Sequence, residues 1–326
     1  MPEKNSPLNG VLMALVGFAF FALHDVAVKF LGTGYSVFQL LFFSVLLTFP
    51  LVVVMLLRDG EVGTLRPRHP WWSLLRTASA VLTGLSVFYA FTTIPLTQVY
   101  AILFAAPLVI TVLSIPMLGE RVGPHRWLAV VVGLAGVLIV LRPGAVPLEW
   151  GHLAALAGAV LGALGSVIVR KIGREERSAV LLLYPMVANF AIMACLMPFD
   201  YRPMPLGDLA IWALMAVLAF AASLLMIEAY RRSDAVLVAP MQYSQIVWAA
   251  ALGWLVFDEA VDAWTAAGAG VIIASGLYIV WVEGRGLSAT TPVLRTRSRP
   301  ETGTVPRISP LLSDAAREID TSRRAA

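Results

Sequence analysis

The sequence predicts an all-α membrane protein of ten transmembrane helices, arranged as two inverted five-helix repeats. Its apolar segments, the placement of its basic residues and the likeness of its two halves all point that way. Of the 326 residues, 59% are hydrophobic and 13% charged, a balance outside the range of ordinary soluble domains. A hydrocarbon core of about 30 Å needs about 20 apolar residues per helix. Stretches that reach or approach this length lie at 10–31, 36–57, 72–93, 96–118, 124–141, 151–170, 178–197, 207–230, 236–257 and 262–282. With the N-terminus in the cytoplasm, 21 of the 24 Lys and Arg residues fall inside, leaving Lys29, Arg142 and Arg202 outside. Basic flanks resist translocation, so this asymmetry sets both termini in the cytoplasm of an inner-membrane protein.

The segments read in order as follows. Residues 1–9 are a cytoplasmic N-terminus. The first apolar segment is too long for a signal-peptide core and lacks a small-residue cleavage site, so it counts as a mature helix. Arg58, Arg66, Arg68 and Arg76 hold the second and third segments on the cytoplasmic side. Gly119, Glu120 and Arg121 close the fourth, and the fifth is the shortest. Residues 10–143 therefore form a first repeat. In the second repeat, 151–284, Arg170 and Lys171 end the sixth segment, and the lone Cys195 lies in the seventh, excluding an internal disulfide. Arg231 and Arg232 follow the eighth, while Asp258 and Glu259 close the ninth. Residues 285–326, rich in Ser, Thr, Pro and Arg, read as a disordered cytoplasmic tail. The net charge of +4 sits where topology requires it and implies no nucleic acid.

The halves repeat each other. Gly10–Gly32 aligns without gaps on Gly151–Gly173 with ten of 23 positions identical, among them Gly10/Gly151, Gly17/Gly158 and Gly32/Gly173. Gly119-Glu120 after the fourth segment corresponds to Asp258-Glu259 after the ninth. Five segments per repeat is odd, so the second repeat runs opposite to the first across the bilayer. Inverted repeats are a construction of secondary transporters, which rock two halves around a central site.

These residues resemble a family. Ten helices as five plus five, with a carboxylate closing the fourth of each half, are similar to the EamA-domain branch of the drug/metabolite transporter superfamily, over about residues 8–284. Tyr100–Trp127, with Pro107 inside and Glu120 at the helix end, carries the resemblance most clearly. The run Phe20–Gly32 and residues 69–77 resemble bacterial riboflavin uptake carriers and, less closely, S-adenosylmethionine carriers. The resemblance implies a central cavity lined by helices one, three, four, six, eight and nine. It also implies a small-molecule substrate, with riboflavin uptake foremost and export of amino acids or other metabolites as the alternative.

Ionisable groups inside membrane helices are costly and mark function by default. Here they are His24 and Asp25 in the first segment and Glu228 in the eighth. Each has a plainer reading. Asp25 and Lys29 are spaced for an intrahelical ion pair, Glu228 can pair with Arg231 or Arg232, and His24 can bond across the bundle. The repeat register sets Asp25 on Ser166 and Glu228 on Tyr89, from which we expect an outer gate of Asp25 with Tyr89 and an inner gate of Glu228 with Ser166. Gln98, Gln242, Gln245 and Trp248 add amides and an aromatic ring that suit a planar, hydrogen-bonding heterocycle such as a flavin. Tyr100 near the outer face reads as part of an interfacial belt. Glu120 and Glu259 read as closing the fold rather than touching substrate. Pro107 and Pro240 each remove a backbone hydrogen bond, at positions that are not equivalent. No nucleotide loop, metal cluster or nucleophile with its base is present in the sequence, so neither catalysis, cofactor nor metal is expected. The sequence is compatible with a homo-oligomer. A membrane sensor or a non-catalytic membrane subunit is the rival from another class.

Overall fold

The computed structural model describes residues 7–58, 65–120, 122–144, 147–173, 175–233 and 235–284. The tail assigned to 285–326 and most of the N-terminal 1–9 lie outside the described residues. The described chain is helical: α1 (Pro7–Gly32), α2 (Val37–Arg58), α3 (Pro70–Thr93), α4 (Leu96–Leu103), α5 (Ala106–Leu118), α6 (Pro124–Leu141), α7 (Trp150–Ile172), α8 (Ser178–Leu196), α9 (Leu206–Arg232), α10 (Ala235–Val238), α11 (Ser244–Phe257) and α12 (Ala263–Gly284). Seven helices are long and apolar enough to cross a membrane when 96–118 counts as one span; Val37–Pro50 and Ala263–Ile279 are shorter apolar helices.

Two predicted continuous helices are broken. The stretch 96–118 divides at Phe104 and Ala105 because Pro107 offers no N–H to the turn before it. The stretch 236–257 divides into α10, a 3-10 turn at Ala239–Tyr243 that contains Pro240, and α11. Although the two prolines are not equivalent in register, the helix that resumes after each break begins at a matching level, Ala106 and Ser244.

Both resumed helices end alike. Gly119 and Asp258 adopt left-handed backbone at φ 68° and 56°. The next residue turns its N–H back into the helix, Glu120 to Ser114 at 3.4 Å and Glu259 to Gly253 at 3.0 Å. This is the reversal that closes a helix after a left-handed residue. The dipeptide match between the halves is thus a shared cap, which delivers a carboxylate to a fixed place.

Three long pairings organise the bundle: α1 along α9, α3 along α7 and α6 along α12. Close approach at the third uses glycine. A Cβ on Gly268 would stand 2.7 Å from the Gly136 carbonyl oxygen, and one on Gly136 would stand 3.0 Å from that of Gly268. Small residues let membrane helices meet backbone to backbone. The core centres on α3 and α4, with Phe88, Phe91, Ile94, Val99, Tyr100 and Phe104 buried. Leu128, Val131, Leu138 and Leu255 point outward and exposed, as lipid-facing side chains do.

Candidate functional site

The best-defined polar site is inside α1. His24 and Asp25 are 0% and 1% exposed, and His24 Nδ1 lies 2.7 Å from Asp25 Oδ1. The other carboxylate oxygen accepts the hydroxyl of Tyr100, itself fully buried on α4. His24 meets Phe88 edge-on at 6.3 Å. Its Nε2 is buried and has no hydrogen-bond partner among the described residues.

Tyr100 also belongs to a run of rings. Phe91 lies 5.7 Å from it and Phe104 5.9 Å; Tyr243, from the 3-10 turn of the second half, stands 5.2 Å from Phe104 and perpendicular to it. The run passes through both helix breaks and joins the two halves. Tyr243 is held close against α12, since a Cβ on Gly276 would stand 1.7 Å from its hydroxyl oxygen.

Two expected pairings give way to others. Lys29 does not bond Asp25; it forms an ion pair with Glu259, donates to the Ile94 carbonyl at 2.7 Å and lies 5.4 Å from the Phe257 ring. Asp25 takes Tyr100 rather than Tyr89, which is 38% exposed on the outer face of α3. The repeat register links equivalent positions, whereas contacts run between neighbours, and that difference misdirected the gate pairings. Tyr100 is correspondingly no belt residue.

The remaining candidates scatter. Glu228 is half-buried and accepts from Arg232 at 2.7 Å, as the ion-pair reading holds. Ser166 is buried and donates to the Gly162 carbonyl. Gln98 bonds His152 Nε2 at 2.9 Å, and His152 accepts from the Glu149 N–H, so this amide helps fix the start of α7. Gln242 is half-buried in the 3-10 turn, Gln245 fully buried in the first turn of α11, and Trp248 40% exposed.

Glu120 and Glu259 do more than cap. Glu120 pairs with Arg170, at the end of α7, as Glu259 pairs with Lys29, at the end of α1. The alignment that sets Gly10 on Gly151 also sets Lys29 on Arg170. Each half thus lends a base to the other's carboxylate, a signal present in the sequence at those four positions. The two sites differ in one respect. Glu259 also accepts from the Leu96 N–H at 3.2 Å, whereas the second oxygen of Glu120 is buried and without a partner among the described residues.

Polar groups also tie down the loops. Tyr35 donates to Asp208, which with burial pushes its hydroxyl up to about 12. Burial pushes Asp262 up, but the hydroxyl and N–H of Thr265 and the charge of Arg142, 3.1 Å away, outweigh it and hold the carboxyl below its usual range.

Seven helices of membrane-spanning length and apolarity mark a multi-pass membrane protein. Residues 8–142 and 149–281 each match the EamA-like transporter family, and the chain belongs to it. Among its relatives, the S-adenosylmethionine uptake transporter of Rickettsia prowazekii is 26% identical over 86% of this chain and 96% of the relative. The riboflavin transporter of Vibrio cholerae is 27% identical over 87% and 96%, and that of Rhizobium johnstonii 29% over 69% and 74%. A solved crystal structure at 21% identity shares the fold, with a TM-score of 0.58 over 86% of this chain and 99% of that one.

Proposed function

We propose that the protein is a ten-span carrier of two inverted halves in the inner membrane, with both termini cytoplasmic, and that it takes up riboflavin by alternating access. The observation that carries the substrate is the ring run Phe91–Tyr100–Phe104–Tyr243. The rings pack against one another here, with Phe91, Tyr100 and Phe104 buried; parted as the two halves move, they suit a planar heterocycle, and the amides of Gln242 and Gln245 can read its polar rim. The inversion is supported by exchanged packing. α1 lies on α9 as α7 lies on α3, and each pairing unites the first helix of one half with the third of the other.

Uptake of S-adenosylmethionine is the second reading. The Rickettsia relative and the buried carboxylate of Asp25, which could face a cationic substrate, favour it. Its adenine ring would use the same aromatic run.

A riboflavin auxotroph without its own importer, grown at limiting external riboflavin, tests the first reading. Rescue by this chain decides substrate and direction together. Failure with verified expression, combined with entry of labelled S-adenosylmethionine, moves the assignment to the second; failure of both leaves export.

A further inference from the structure

We propose that His24 and Asp25 form a proton-binding site, and that loading and unloading this site is coupled to transport. The inference rests on the carrier reading but not on the choice of substrate. The two side chains share a 2.7 Å hydrogen bond and are buried to within 1%. Lys29, the nearest basic residue on the same helix, is committed to Glu259 and the Ile94 carbonyl, so among the described residues no fixed positive charge is hydrogen-bonded to the pair. With a neutral imidazole the pair carries one net negative charge in the protein interior, an expensive state at membrane depth. One added proton makes it neutral.

The charged and titratable groups on the elements packed against α1 leave that role to the pair. α3 carries Arg76 and the exposed Tyr89; among its described side chains α9 carries Asp208, bonded by Tyr35, Glu228, bonded by Arg232, and Tyr230. Tyr243 lies in the 3-10 turn, Glu259 beyond α11 faces Lys29, and the described side chains of α2 and α10 include no such group. Among the described residues of these elements and of α4, only Tyr100 hydrogen-bonds Asp25.

The bookkeeping of the step is simple. On loading, an O–H bond of a hydronium breaks and an N–H or O–H bond forms within the pair; on unloading, water takes the proton back. The buried Nε2 of His24 has no partner among the described residues, so it is the atom left to take a proton when the cycle opens the site to water. Tyr100 transmits the change. A carboxylate holds its hydroxyl in a charge-assisted bond, and protonation of Asp25 weakens that bond. The same ring stands within the aromatic run, so loading is felt there.

The full chain in liposomes that contain a pH dye, with voltage clamped by valinomycin, provides the test. Entry of external riboflavin, or of S-adenosylmethionine in a parallel run, is expected to acidify the lumen. Asp25→Asn abolishes the signal and Asp25→Glu restores part of it. Entry of either compound with no change of lumenal pH overturns the proposal. If neither compound enters, the substrate reading fails, and the proton site is decided without substrate by infrared difference spectra of the same protein between acidic and alkaline buffer. These are expected to contain a carboxyl signal that Asp25→Asn removes and that His24→Gln and Tyr100→Phe shift. Spectra in which Asp25→Asn removes nothing overturn it equally.

Discussion

Tyr100→Phe removes a single hydroxyl and leaves one oxygen of Asp25 buried without its donor. A loss of about 1–3 kcal/mol in stability is expected, together with a severe fall in transport; denaturant melts and uptake assays on equal amounts of protein check both. Asp25→Asn is expected to abolish transport at near-normal membrane levels, because Lys29 keeps Glu259 and no charge is stranded; a western blot beside the uptake assay decides. Asp262 gives a pH-dependent case. Its carboxyl is held below its usual range, so its stabilising effect is present above the unfolded value and is lost as pH falls through the folded one. Wild type should therefore lose its melting-temperature advantage over Asp262→Asn as the buffer is acidified. His24 and Asp25 were legible in the sequence because ionisable groups stand out among apolar neighbours. Tyr100 was not, since a tyrosine near a helix end looks like an interfacial anchor until the fold turns it inward.

At the scale of the element, the informative features are the interrupted helices and the exchanged ion pairs. Lys29→Glu alone sets two carboxylates together in a largely buried place, and breaking such a pair costs about 3–5 kcal/mol. Exchanging both residues, Lys29→Glu with Glu259→Lys, is expected to restore much of the protein level, as blotting of the three variants would show. Recovery in the double variant no better than in Lys29→Glu would refute a direct pairing. Segment lengths and flanking arginines made most helix positions legible, and 124–141 matches α6 residue for residue. The breaks were not legible as breaks. Apolar composition runs unaltered through Phe104 and Ala105, and proline is also tolerated within continuous membrane helices.

For the molecule as a whole, reporters fused after Gly144 and after Glu283 are expected to read outside and inside respectively; the same side for both would sink the inverted arrangement. The duplication was visible because glycines at packing positions tolerate little change. Gly17 would meet α9 and Gly158 would meet α3 if either gained a Cβ. The contact of Gly136 with Gly268 reaches further than packing. Main chain meets main chain there, with the side chains of Val140 and Ile272 seated over the facing glycines, so α6 and α12 are expected to hold together as a fixed mast during transport. Spin labels on their lipid-facing Leu134 and Leu277 are then expected to keep one separation throughout the cycle, an internal ruler against which every moving helix can be measured.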